Sequence, residues 1–177
     1  SDPSAIRTTT PLRQRNFVNY SLSANQGNYL IISHPQVYFD NNGVNQVNEY
    51  SLYRSSSNGG SFNVKIYDVT ELIDQFGWGI KFNPLAVRNF LRFARNRFNT
   101  SPKFTLLIGK GVTTQLSRSI ESRPAINRMN LVPSWGTPAS DMTLAADEGD
   151  VVPKIAIGRL NVINGEEVGE YLQKLKA

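Results

Sequence analysis

From Asn28 onward the apolar and polar positions fall into a regular rhythm. Tyr29-Leu30-Ile31-Ile32 is an unbroken apolar run closed by Ser33-His34-Pro35, the pattern of a strand buried on both faces. Asn41 to Ser57 is polar, with Val44, Val47, Tyr50 and Tyr53 or Arg54 on one side. It predicts a weakly amphipathic helix stopped by Asn58-Gly59-Gly60. Phe62 to Val69 alternates and predicts a second strand, and Thr70 to Phe76 fits one or two helical turns before Gly77 and Gly79. The strongest helical signal follows. Asn83 is a good N-cap and Pro84 suits the first helical position. Val87, Phe90, Leu91, Ala94 and Phe98 then recur along one stripe, the signature of a core-facing helix.

Pro102 resets the chain, and Phe104 to Gly109 is another continuous apolar run. Lys110 to Val152 is long, irregular and broken by Pro124, Pro133, Gly136 and Pro138. Such loops in a compact domain tend to carry function. Lys154 to Gly158 predicts the last strand. Asn164 then caps a final helix, with Glu166 and Glu167 favourably placed in its first turn and Val168, Tyr171, Leu172 and Leu175 on its apolar face. Residues 1–27 hold only isolated apolar side chains and are expected to be a polar linker or arm. Residues 28–177 are expected to be an α/β domain: three layers, a mostly parallel sheet and helices on both faces. Ligands of such sheets gather beyond the carboxyl ends of the strands. Those ends are Ser33-His34, Asp68-Val69, Gly109-Lys110 and Arg159.

Composition narrows the chemistry. The 177 residues include no cysteine and one histidine, His34. Disulfides, thiolate metal sites and a cysteine nucleophile are therefore excluded within this chain, as is a multi-histidine zinc site. Net charge is +5, which invites a nucleic-acid partner. However, Arg88, Arg92, Arg95 and Arg97 lie on one predicted helix, and Arg118, Arg123 and Arg128 in one loop. No aromatic-rich reading motif interleaves with them, so a solvated basic face is expected and no nucleic-acid partner. No apolar run is long enough for a membrane span. The start at Ser1, without Met, suggests a removed leader or an excised piece.

Candidate motifs are few. Gly109-Lys110 follows a strand, but Phe104 and Gly111 stand where a phosphate loop needs Gly and Ser or Thr. His34 at a strand end suits a local hydrogen-bonded turn. Asp141, Asp147, Glu148 and Asp150 could ligate calcium through oxygen or form a solvated acidic turn.

Three stretches together resemble the gingipain-type cysteine peptidase family, which has a caspase-like fold. They are Tyr29 to Pro35; Asp68 to Ile80 running on into Asn83 to Ala94; and Pro102 to Gly109, followed in order by Val132-Pro133, Ser140-Asp141 and Ile155 to Leu160. The second stretch is the most specific. It is similar to the branch that serves as the sortase of the type IX secretion system in Bacteroidetes. The resemblance covers about Gly27 to Ala177.

It implies the first of two side-by-side α/β subdomains, the catalytic His and nucleophilic Cys belonging to the second. No catalytic residue is expected in this chain, and it should be inactive alone. His34 does not match the family's catalytic His. The family usually has Asp directly after the Leu-Leu-Ile-Gly strand, where in gingipains it helps bind calcium. Here Lys110 stands instead. No cofactor is expected: the Lys110 ammonium takes the electrostatic place of calcium and pairs with Asp147 or Asp150. Asp141 matches the family pattern and is expected to order the long loop by accepting backbone N–H bonds, or else to face substrate.

The implied function is that of the first subdomain of an endopeptidase or sortase acting on secreted cargo. Its partners are the catalytic subdomain and proteins bearing sorting domains, and its place is the cell surface, outer membrane or medium. The rival expectations are a non-catalytic binding or scaffold module and a small-ligand-binding α/β domain.

Overall fold

A computed structural model describes residues 14–113 and 124–177. Arg118 and Arg123, and residues 1–13 of the expected arm, lie outside the described residues. The elements are β1 (Tyr29–Ser33), α1 (Gln46–Ser55), β2 (Val64–Asp68), α2 (Val69–Phe76), α3 (Leu85–Arg97), β3 (Phe104–Ile108), the single turn α4 (Pro124–Asn127), β4 (Ala156–Leu160) and α5 (Gly165–Lys176).

The strands form one sheet in the order β2-β1-β3-β4, and every neighbouring pair is parallel. Alternate side chains of β1 leave opposite faces, and both faces are covered. Leu30 and Ile32 join Val69 and Leu72 of α2 and Val87, Phe90, Leu91 and Ala94 of α3 in one core. Tyr29 and Ile31 join Val47 and Tyr50 of α1 and Val168 and Leu172 of α5 in the other. This is why the β1 run is apolar without alternation. The three-layer α/β class read from the sequence is the fold observed.

Local chemistry sets the element ends. The Asp40 carboxylate accepts from the amides of Asn42 and Val44, fixing a turn where a helix was expected. Helix α1 therefore starts later, capped by Asn45, whose Oδ1 accepts from Asn48 N at 2.9 Å. Asn83 Oδ1 accepts from Leu85 N at 3.0 Å, and Asn164 caps α5 through Glu167 N. Strand β4 lies two residues later than its apolar run suggested, because Phe104 to Ile108 of β3 pairs with Ala156 to Leu160.

The segment before β1 corrects the arm expectation. Tyr20 is only 4% exposed. Its ring packs against those of Tyr67, Phe76 and Phe90 at centroid distances of 5.7, 5.9 and 5.3 Å. Gln26 is also buried; its Oε1 accepts from Asn99 N, fastening this segment to the end of α3.

Burial disfavours the ionised phenolate of Tyr20, whose pKa is pushed up to about 12. Burial likewise raises Tyr29, Tyr38 and Tyr67. A raised folded-state pKa contributes stability that is whole below the ordinary tyrosine value near 10 and is lost as pH climbs through the folded value. The melting temperature should therefore fall steeply above about pH 10. Tyr20→Phe should flatten part of that fall; an identical slope in the variant would refute the assignment.

Candidate functional site

The carboxyl edge of the sheet is where the chain gathers its polar chemistry. Strand β3 is followed by Gly109, whose φ of +140° favours glycine. The backbone then runs beside the 130–134 segment: the amides of Leu131 and Val132 both donate to Lys110 O, and Gly109 N and Lys110 N donate to Leu160 O and Val162 O. There is no room for a side chain at Gly111, where a Cβ would lie 2.5 Å from Ser134 Oγ and 2.7 Å from Val132 O.

Arg159, the penultimate residue of β4, ties these pieces together. Its Nε and Nη2 donate to the two oxygens of Asp141, each at 2.7 Å. Its Nη1 donates to Gly109 O and to Val132 O, each also at 2.7 Å. The side chains of Arg159 and Asp141 are 11% and 21% exposed. A planar guanidinium can serve a carboxylate in fork geometry and still spend another N–H elsewhere. Asp141 grips Arg159, where the sequence suggested that it would collect backbone amides. Arg159 was the missed partner. The available signal was a cation near the end of an apolar strand, which needs a carboxylate.

The expected pairing of Lys110 is not what forms. Asp147 is taken by Arg95, a hydrogen bond that holds the Asp147 carboxyl below its ordinary range. Asp150 is taken by Lys154 at 2.8 Å, with the same effect. Glu148 lies 4.0 Å from Arg88 and from Arg92. Three arginines of α3, expected on a solvated face, therefore meet the acidic loop; Arg97 of the same helix is exposed. The reason is reach: the loop returns across α3 on its way to β4, and three guanidinium groups are already there. The loop carboxylates are turned toward cations, and no cluster of three metal-ligating side chains occurs among the described residues.

A second feature lies at the switch point between β1 and β3, from which the crossovers leave to opposite faces. His34, Asn130 and Leu131 line two adjoining chambers of about 450 and 220 Å³, with Lys81 and Phe82 on one wall. His34 Nδ1 accepts from Gln36 N at 3.1 Å, the local turn anticipated for it. Burial lowers its pKa, so the ring is neutral at physiological pH.

No helix among the described residues is long and apolar enough to cross a membrane. Residues 22–177 match the family model described as Peptidase family C25. Among solved structures, the chain is similar to dimeric latent PorU from Porphyromonas gingivalis, with a TM-score of 0.60 and 18% identity over 84% of this chain. It spans 15% of the length of that PorU chain. At this identity the likeness is one of fold. No curated protein matches the chain.

Proposed function

The chain belongs to peptidase family C25, the gingipain family, and from that premise we propose that it is the first, nucleophile-free subdomain of a sortase-type cysteine endopeptidase. The full enzyme acts on secreted cargo proteins that carry C-terminal sorting domains, at the cell surface or outside it. The observation that carries this reading is the match over residues 22–177 by a chain that has no cysteine.

Cysteine peptidase chemistry needs a thiolate to attack the scissile carbonyl and form an acyl-enzyme, which water or an amine then resolves. That thiolate and its His belong to a second subdomain. The role of this chain is to pack beside it and to present rigid loop walls. Two features support that role. Among the described residues β4 pairs only with β3, so an edge is left for a neighbour, and the face over Gly158 is open where a side chain would stand. The Arg159 knot braces the loops that would meet that neighbour.

The test is expression of the whole gene. The 177-residue chain should cleave no reporter bearing a sorting domain. The full product should cleave it, and iodoacetamide should abolish the cleavage. A full product with no thiol-dependent cleavage would overturn the enzymatic reading in favour of a scaffold module.

A further inference from the structure

We propose that the switch-point crevice is an oxyanion site, taking a ligand that bears a carboxylate or a phosphate. This goes beyond peptidase membership and does not depend on it. The larger chamber is lined by several side chains that carry donors: His34, Gln36, Lys81, Asn127, Arg128 and Asn130. Asn130 is 4% exposed and lines both chambers. Its Oδ1 accepts from Val112 N at 3.0 Å. That bond fixes the amide, so Nδ2 is the group left over. Among the described residues Nδ2 is buried with no acceptor, a situation that ordinarily costs about 1–3 kcal/mol. An acceptor brought against Nδ2 by a small shift of the chamber wall would remove that cost.

His34 adds a second donor. Because Nδ1 accepts from Gln36 N, the proton of the neutral ring sits on Nε2. Lys81 and Arg128 stand exposed at the rim, and among the described residues no carboxylate lines this chamber. The smaller chamber adds Arg15, itself paired with Asp74 at 3.2 Å. Phe82, Pro124 and Leu131 supply apolar wall, so the site suits an anionic head on a small apolar body.

The wall that carries Lys81 and Phe82 is held in an unusual backbone. Trp78 and Phe82 have φ of +57° and +60°, a region that bulky residues rarely adopt. The turn is clamped by Gly79 N to Ile73 O, Asn83 N to Ile80 O, and Asn83 Nδ2 to Gly77 O. Backbone held in this way concentrates at ligand clamps.

The test is a titration followed by NMR through the Asn130 side-chain amide and the His34 ring, at constant ionic strength. The probes are inorganic phosphate, N-acetyl-leucine, and N-acetyl-leucinamide as the uncharged control. We expect saturable shifts with phosphate, N-acetyl-leucine or both, in roughly the millimolar range usual for ligands this small, and none with the amide. Saturation by one anion alone names the source. Asn130→Asp keeps the acceptor for Val112 N but replaces the donor with an anion, and should weaken binding at least about tenfold. Should that variant fail to fold, Lys81→Ala and Arg128→Ala give the same answer from exposed positions, each weakening binding about threefold to fivefold. The proposal fails if no anion saturates, if the amide binds as tightly as the acid, or if the folded variants bind like the parent.

Discussion

Arg159→Ala should destabilise the chain by about 3–5 kcal/mol, the range for breaking a largely buried charge pair by removing one partner. For a domain of this size that lowers the melting temperature by roughly 10 °C. The loss has two parts. The Asp141 carboxylate, mostly shielded from water, loses its cation. The carbonyls of Gly109 and Val132 also lose their donor. Arg159→Lys should recover little, since one ammonium cannot reach both carboxylate oxygens and two carbonyls in the geometry of a planar fork.

A cycle with Asp141→Ala separates pairing from general damage. If the two side chains act as a unit, the double variant is scarcely worse than the worse single one, and the coupling approaches the smaller of the two single losses. Additive losses would refute the knot. A second readout is local: the amides of Leu131 and Val132, which donate to Lys110 O, should lose hydrogen-exchange protection before the β1 amides do.

The elements were readable because both cores impose simple periods. A strand buried on two faces must be apolar throughout, and Leu30, Ile31 and Ile32 say so; a helix on a sheet must carry a stripe, and α3 carries Val87, Phe90, Leu91 and Ala94. The loop chemistry was not readable in the same way. Asp141, Asp147 and Asp150 all stand within ten residues, and nothing local distinguishes their partners. Those partners come from Arg159, Arg95 and Lys154, and only folding brings the first two close. The reading of Lys110 failed for that reason: a cation at the right strand end was assigned the nearest acidic run, while α3 had already brought its arginines there. Asn130 was invisible too, because an orphaned amide proton is a property of burial and not of spacing.

Tyr20 shows the same limit from the other side. A single aromatic in a polar stretch has no period, so the segment looked like an arm. Its ring is nevertheless part of the aromatic cluster centred on Phe90, and that cluster carries the second large expected effect. Phe90 is fully buried, with the rings of Tyr67, Tyr20, Phe76 and Phe98 at 4.7, 5.3, 5.4 and 6.3 Å. Phe90→Ala should cost about 3–5 kcal/mol, as removal of a buried phenyl does where the walls cannot collapse. These walls come from the segment before β1, from β2, from α2 and from the end of α3, so collapse would have to move four elements at once.

Phe90→Leu keeps most of the volume and should cost much less, about 1–2 kcal/mol. Part of the loss is pairing with Tyr20. Edge-on ring pairs add roughly 0.5–1.5 kcal/mol beyond their buried area, so Tyr20→Ala and Phe90→Ala should couple by about that amount in denaturant melts. Limited proteolysis then checks the connection to the arm: in Phe90→Ala, cleavage within 14–27 should accelerate well before the β1 strand is cut. If Phe90→Ala costs under about 1 kcal/mol, below the usual range for a buried aromatic, or leaves that cleavage unchanged, the segment before β1 is not fastened through this cluster.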